Sequence, residues 1–351
     1  MMKKILKLDQ PRVWRTYQGG KLIDQLHGLK KPDGSYPEEW IMSITEAINP
    51  TEDKVEGLSF IEELNMTLKE YIMKYPIETL GESHHQVYGT NTAVLVKFID
   101  SLERLTLQVH PSRKDALKYF NSPYGKTECW YILGGRKVDK QNPYVYIGFK
   151  EGVTKEKWKD LFEKQDIPKM LDCLNKIEVF PGDCVLIQGG IPHAIGSGCF
   201  LIEIQEPTDY TIRVEKTTPF GLKIAEKMIH QGIGYEKMFE LFNYQPLTEK
   251  DIKDKFYIEP KKLTNQEETL IDYDTIDYFK MTRVHTEKEY TSKESKFYGI
   301  VILNGTGTIS SQDEIYDFKP GDQFFIPNST DTITIKPKEQ IELIKCFGPK
   351  Q

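Results

Sequence analysis

Two stretches of this chain, far apart, have nearly the same wording. "VFPGDCVLIQGGIP" spans 179–192 and "FKPGDQFFIP" spans 318–327. A second echo precedes each of them: "WYILGGRK" at 130–137 and "IVILNGTG" at 300–307. In both copies a β-rich run ends in glycine, a Pro-Gly-Asp turn follows, and another β-rich run leads to a proline. Proline presets one turn dihedral, glycine supplies positive φ, and aspartate can cap the turn with its side chain. A repeated strand–turn–strand phrase means a duplicated β unit, and this constrains the fold more than composition does.

The rest of the chain agrees. "AVLVKFIDS", "LTLQVHP", "ECWYILGG", "YVYIGFK", "DCVLIQGG" and "FLIEIQEP" are rich in β-branched, aliphatic and aromatic residues and bounded by turn formers. After about residue 250 short β runs resume. The pattern predicts a mainly β chain of cupin jelly-roll barrels, one metal-binding and one degenerate, with α-helical insertions. Helical periodicity places the insertions at about 55–75, 154–177 (interrupted at Pro168) and 220–242. The expected division is a catalytic cupin domain over 1–250 and a degenerate cupin-like β domain over 251–351. No glycine-rich strand-to-helix phosphate loop is present, which argues against a Rossmann or P-loop domain.

Composition narrows the class. Of 351 residues, 47 are basic and 53 acidic, for a net charge of −6. A dedicated nucleic-acid binder would be basic. No apolar run approaches a membrane span, and the start of the chain does not read as a signal peptide. The five cysteines, Cys129, Cys173, Cys184, Cys199 and Cys346, are odd in number and widely spaced. That suits reduced thiols and a cytoplasmic location. The expected partners exclude nucleic acid and membrane, and both monomer and homodimer stay open.

Gln108, His110 and Glu128 fall within one short segment, and His193 follows the first Pro-Gly-Asp turn. Gln108 and His110 are two apart, so on a strand they face the same way. A jelly roll brings such strands onto one inner face. Two imidazoles and a carboxylate suit one catalytic Zn2+ per chain with a position open for substrate. Pairing Ile132–Leu133 with Ile302–Leu303 sets Tyr298 opposite Glu128, and the second copy has Asn328 but no histidine in its "IPNST" phrase. The second copy therefore lacks the ligands. A histidine on a strand is most often packed or exposed, and His27, His84, His85, His230 and His285 are read that way. Cys129 alternates away from Glu128.

"VKFIDSLERLTLQVHP", "GKTECWYIL", "IGFKEG", "PGDCVLIQGGIPHAIGSG" and "IEIQEPTDYTIRV" together resemble the bacterial type I mannose-6-phosphate isomerases, with "PEEW" around Glu39 and Trp40 as a further phrase. The motifs cover roughly residues 90–220. The resemblance implies a zinc-dependent aldose–ketose isomerase with metal ligands Gln108, His110, Glu128 and His193. It implies catalytic roles for Arg213, Lys126 and Glu203, and contacts to a phosphorylated hexose from Lys97 and Thr106. Three departures touch the pocket rim: "SRKDALKY" after the QVHP motif, "VEKTTPFG" after Arg213 with Lys216 as a weak candidate, and Ile195 where some relatives carry an aromatic.

The chemistry expected is interconversion of mannose 6-phosphate and fructose 6-phosphate through a cis-enediol. Either Lys126 or Glu203 could move the proton, and Arg213 would face the developing negative charge. A non-catalytic sugar-phosphate-binding cupin sensor is the alternative from another class. A metal-dependent dioxygenase is disfavoured, because the first ligand element is QxH rather than HxH.

Overall fold

The computed structural model describes residues 2–49 and 55–350. Four main sheets make two β units. In the first, a six-stranded sheet has the order Cys184–Ile187, Glu128–Gly135, Cys199–Gln205, Leu95–Asp100, Glu38–Ile41, Arg12–Val13. It faces a five-stranded sheet ordered Leu174–Glu178, Tyr144–Phe149, His193–Ile195, Gln108–Val109, Ile212–Arg213. The second unit has a seven-stranded sheet, with Tyr298–Asn304 and Ile341–Phe347 near its centre, and a four-stranded sheet. Every strand pairing in these sheets is antiparallel.

The duplication is visible at the level of single hydrogen bonds. Gly182 N–H donates to the Ile132 carbonyl, and Ile132 N–H donates to the Asp183 carbonyl. Gly321 N–H donates to Ile302, and Ile302 N–H to Asp322, in the same way. Each aspartate carboxylate caps its own turn, accepting from Phe180 N–H at 2.9 Å and from Lys319 N–H at 3.1 Å. Gly182 and Gly321 have φ of 97° and 87°, which favour glycine. Glu128 pairs with Ile187 and Tyr298 with Ile326, so the two registers coincide.

The period-2 alternation of the large sheets sorts residues between two interiors. Val96, Phe98, Cys129, Tyr131, Ile202 and Ile204 point outward and share one core with Met281, Val301, Phe325 and Ile344 of the second unit. The two units thus pack back to back through their larger sheets. Lys97, Glu128, Trp130 and Glu203 alternate with these residues and face into the first barrel. The strand Leu6–Leu8 pairs with Gln323–Ile326, so the start of the chain lies in the second unit's sheet.

The helices differ in detail from the periodicity reading. In the first insertion, Phe60–Ile61 and Met66–Thr67 pair as a short hairpin around a 3-10 turn, and the helix is only Leu68–Lys74. Thr67 and Glu70 form a capping box that sets its start. Helices Pro76–Leu80 and Glu82–Tyr88 extend this region beyond the expected end. In the second insertion Pro168 lies in the first turn of Ile167–Asp172, where a missing N–H costs nothing. Residues 174–177 belong to a strand, not the helix. Glu226–His230 and Tyr235–Met238 form the third insertion. With Lys155–Lys164 they bury Trp158, Phe162, Met228 and Phe239 against Leu107, Val109 and Ile212. This helical layer backs the small sheet that carries the histidines.

Candidate metal centre and its cavity

Gln108 lies on a strand only two residues long, and His110 follows it. The outward side chains Leu107 and Val109 are anchored in the helical layer, which turns Gln108 and His110 inward. Glu128 opens its strand with Ile187 on one side and Gln205 on the other. His193 opens the neighbouring strand and pairs with Gln108.

These four side chains meet in the barrel. Glu128 Oε2 lies 3.1 Å from His110 Nε2, and Glu128 Oε1 lies 3.5 Å from His193 Nε2. The potential ligand atoms of His110, Glu128 and His193 lie within 4.8 Å of one another. Among the described residues this is the one converging group of three such side chains. Gln108 Nε2 is 3.2 Å from His193 Nε2, and rotating the amide would present its oxygen there instead.

The arrangement fits a metal ion. His110 donates its Nδ1–H to the Tyr210 carbonyl and His193 donates its own to the Ile191 carbonyl, both at 2.8 Å. Both imidazoles are thereby held in the tautomer whose Nε2 lone pair points into the cluster. Trp130 Nε1–H holds the Glu128 carboxylate at 3.0 Å. A cation already stands against the donors, since Lys126 Nζ is 2.9 Å from His110 Nε2 and 2.5 Å from Glu128 Oε2.

Electrostatics favour the ligating forms. Burial, reinforced by the Lys126 charge, pushes the His110 pKa down to about 3, and burial also lowers that of His193. Both rings are therefore neutral donors at neutral pH. Burial works to raise the Glu128 pKa, but the Lys126 charge opposes it and the carboxyl stays well below its usual range.

A polar cavity opens beside the cluster and reaches it through Gln108 and Lys126. The other expected residues, Lys97, Thr106, Glu203 and Arg213, all line it. Lys97 Nζ lies 3.3 Å from Glu203 Oε1 and 5.0 Å over the Trp40 ring. Glu203 Oε1 is also 3.9 Å from Lys126 Nζ, yet it is buried without a hydrogen bond. Burial and the Glu128 charge raise the Glu203 pKa, against the opposing pull of Lys126 and Lys97. Arg213 is steered by the carbonyls of Met228 at 2.8 Å and Thr211 at 3.2 Å. Burial lowers its pKa to about 10, so it is charged at neutral pH. Lys216 is exposed, lies over the Phe162 ring and takes no part in the cavity lining.

Sequence reading missed a second charged layer of the same cavity, formed by Arg15, Tyr17, Glu38, Asp209 and Thr211. Glu38 accepts from Arg15 Nε and Trp40 Nε1 at 2.9 Å and from Tyr17 OH at 2.8 Å. Arg15 also spans both Asp209 oxygens at 3.1 and 3.3 Å. In the "PEEW" phrase it is Glu38, two residues from Trp40 and on the same strand face, that enters the cavity. Glu39 turns away, to His27 at 2.8 Å and Gln323 at 2.9 Å.

Comparison with known proteins accords with this geometry. The family model for the mannose-6-phosphate isomerase cupin domain matches residues 269–347. Mannose-6-phosphate isomerase ManA of Bacillus subtilis (strain 168) is 28% identical over 258 residues, covering 72% of this chain and 76% of that protein. The crystal structure of the mannose 6-phosphate isomerase from Bacillus subtilis superposes with a TM-score of 0.75 at 21% identity, over 98% of this chain and 99% of that one. A mannose 6-phosphate isomerase bound with zinc and yttrium superposes with a TM-score of 0.76 at 15% identity, over 99% and 100% of the two chains. At such identities the structural likeness concerns the fold. The resemblance carried by the motifs therefore stands: over most of its sequence and nearly all of its fold this chain is similar to mannose-6-phosphate isomerases, and its residues 269–347 match the model of their cupin domain.

Proposed function

We propose that this chain is a zinc-dependent isomerase that interconverts mannose 6-phosphate and fructose 6-phosphate through a cis-enediol. The observation that carries the proposal is the adjacency of a ligand cluster with fixed tautomers to a cavity lined by Lys97, Lys126, Glu203 and Arg213. In this reading Gln108, His110, Glu128 and His193 hold one zinc ion per chain. When bound, such an ion supplies Lewis-acid stabilisation for negative charge on the sugar's reacting oxygens.

The chain's own groups do the rest. Glu203 carries the proton between C2 and C1, because its unbonded buried oxygen and raised pKa suit a group that must both take and return a proton. Lys126 serves the adjacent hydroxyl, and its neighbours His110 and Glu128 fix its position. Arg213 sets a permanent cation at the cavity wall to oppose charge developing on the enediol oxygens. Lys97 and Thr106 contact the phosphorylated hexose. The division into a catalytic cupin domain over 1–250 and a degenerate cupin-like β domain over 251–351 belongs to the same reading, with Leu6–Leu8 crossing between them. All five cysteines are free and buried, and among the described residues no helix is long and apolar enough to cross a membrane. Both features support a cytoplasmic site of action.

The test is the appearance of fructose 6-phosphate from mannose 6-phosphate, alongside direct measurement of sugar-phosphate binding. Turnover supports the isomerase. Tight binding without turnover in metal-replete protein would favour a sensor instead.

A further inference from the structure

The strand registers allow the first barrel's active cavity to be traced onto the second, residue by residue. Glu128 and Tyr298 occupy the same place relative to the duplicated turns. From there, Trp130 pairs with Glu203 as Ile300 pairs with Lys345. One strand further, Glu203 pairs with Lys97 as Lys345 pairs with Thr282. The next step pairs Glu38 with Ile99 as Glu267 pairs with Val284. On the opposite sheet, His193 pairs with Gln108 as Ile333 pairs with Ser292. Two residues beyond each of these strand positions stand His110 and Glu294.

The second barrel thus keeps a carboxylate at the Glu38 position, as Glu267, and gains one at the His110 position, as Glu294. Lys345, at the place of Glu203, is wholly buried. Its ammonium contacts Glu294 Oε1 at 2.6 Å, Glu267 Oε1 at 3.1 Å and Tyr290 OH at 3.0 Å. Tyr290 OH and Thr282 Oγ1 in turn donate to Glu267 at 2.7 and 2.6 Å. Tyr298, where Glu128 would stand, donates instead to Ser292 at 2.9 Å. Burial opposes the Lys345 charge, but Glu294 and Glu267 outweigh it and keep the amine protonated.

We propose that Lys345 is a built-in cation that fills the second barrel's counterpart of the metal and sugar site, so that this barrel takes neither a metal ion nor a substrate. The comparison rests on the metal reading of the first barrel, but the electrostatic role of Lys345 does not. A covalently attached ammonium stands permanently between the two carboxylates and bonds both, so the second barrel's polar interior is held whatever the metal supply.

A stability cycle tests this. In Lys345→Met the side chain keeps its bulk and loses its charge, and two partly buried carboxylates lose their cationic partner. The thermal midpoint should fall by on the order of 10 °C. Adding Glu267→Gln and Glu294→Gln to that variant should recover at least half of the loss, because the three groups act as one unit. An unchanged midpoint in Lys345→Met, or a triple variant no more stable than the single one, would overturn the proposal. The parent saturated with Zn2+ should hold one equivalent per chain. A second equivalent that disappears in Glu294→Gln would place metal in the second barrel and also overturn it. A parent that binds no Zn2+ would instead count against the proposed function, and the stability cycle would still decide the role of Lys345.

Discussion

The two barrels share a turn, a register and a pattern of strand pairing, yet their interiors solve different problems. In the first, Glu203 Oε1 is buried without a hydrogen bond, and the neutral histidines turn their Nε2 lone pairs into the ligand cluster. In the second, the counterpart groups are closed around Lys345, with donors and acceptors matched at 2.6–3.1 Å. Glu203 Oε1 faces Lys97 Nζ at 3.3 Å without a hydrogen bond, so this cavity carboxylate is held by charge and keeps hydrogen-bonding capacity. The fold is common to both barrels, so they differ in whether their interior carboxylates face an open cavity, as Glu203 does, or close around a lysine, as Glu267 and Glu294 do.

Substitutions at matched positions can break this contrast. The largest effect is expected at the ligands: His193→Ala should reduce isomerase turnover to background, while Ser292→Ala, at the place of Gln108, should leave it within about twofold of the parent. A steady-state assay of both variants checks this. Glu203→Gln keeps the shape and removes the proton carrier, so kcat should fall about 10²–10⁴-fold while metal content stays at the parent value.

The repeated turn gives a smaller effect. Gly182→Ala meets no atom within 4 Å but must hold φ near 97°, which should cost about 1–2 kcal/mol. Gly321→Ala should cost more, since its new Cβ would lie 2.1 Å from the His27 ring, which bonds Glu39. Chemical denaturation of the two variants ranks them.

The smallest contrast is in acid. Burial works to raise the pKa of Glu38, but Arg15 and Lys97 outweigh it and hold it at about 2, below the ordinary 4.5. Burial of Glu267 is likewise outweighed, chiefly by Lys345. A depressed carboxyl contributes stability above its unfolded pKa and loses it as pH falls through the folded one. Glu38→Gln should flatten the fall in thermal midpoint between about pH 4.5 and 2, and Glu267→Gln should flatten it as pH falls below about 4.5.

Much of the site could be read before the fold was known, because its residues sit in local phrases. QxHP, GKTE and PGD followed by PHA each fix a spacing along one strand or turn, and the structure brings all nine expected residues to one cluster and its cavity. Arg15 and Asp209 were not legible. They are linked across 194 residues by a bidentate ion pair, and neither belongs to a repeated phrase. The helices were read less well than the strands. Periodicity at 59–67 and at 174–177 reflects burial on one face, which short strands satisfy as readily as a helix does. Lys345 was invisible for another reason: a lysine in a strand reads as a solvated residue until the register shows what it faces.

The central claim is that one barrel works with one metal ion while the other is complete without any. Metal-free protein titrated with Zn2+ tests it most directly, with mannose 6-phosphate isomerisation and bound metal read on the same samples. Activity should rise in proportion to bound zinc and stop rising at one equivalent per chain. Full activity in the metal-free protein, or activity that keeps climbing to a second equivalent, would contradict it.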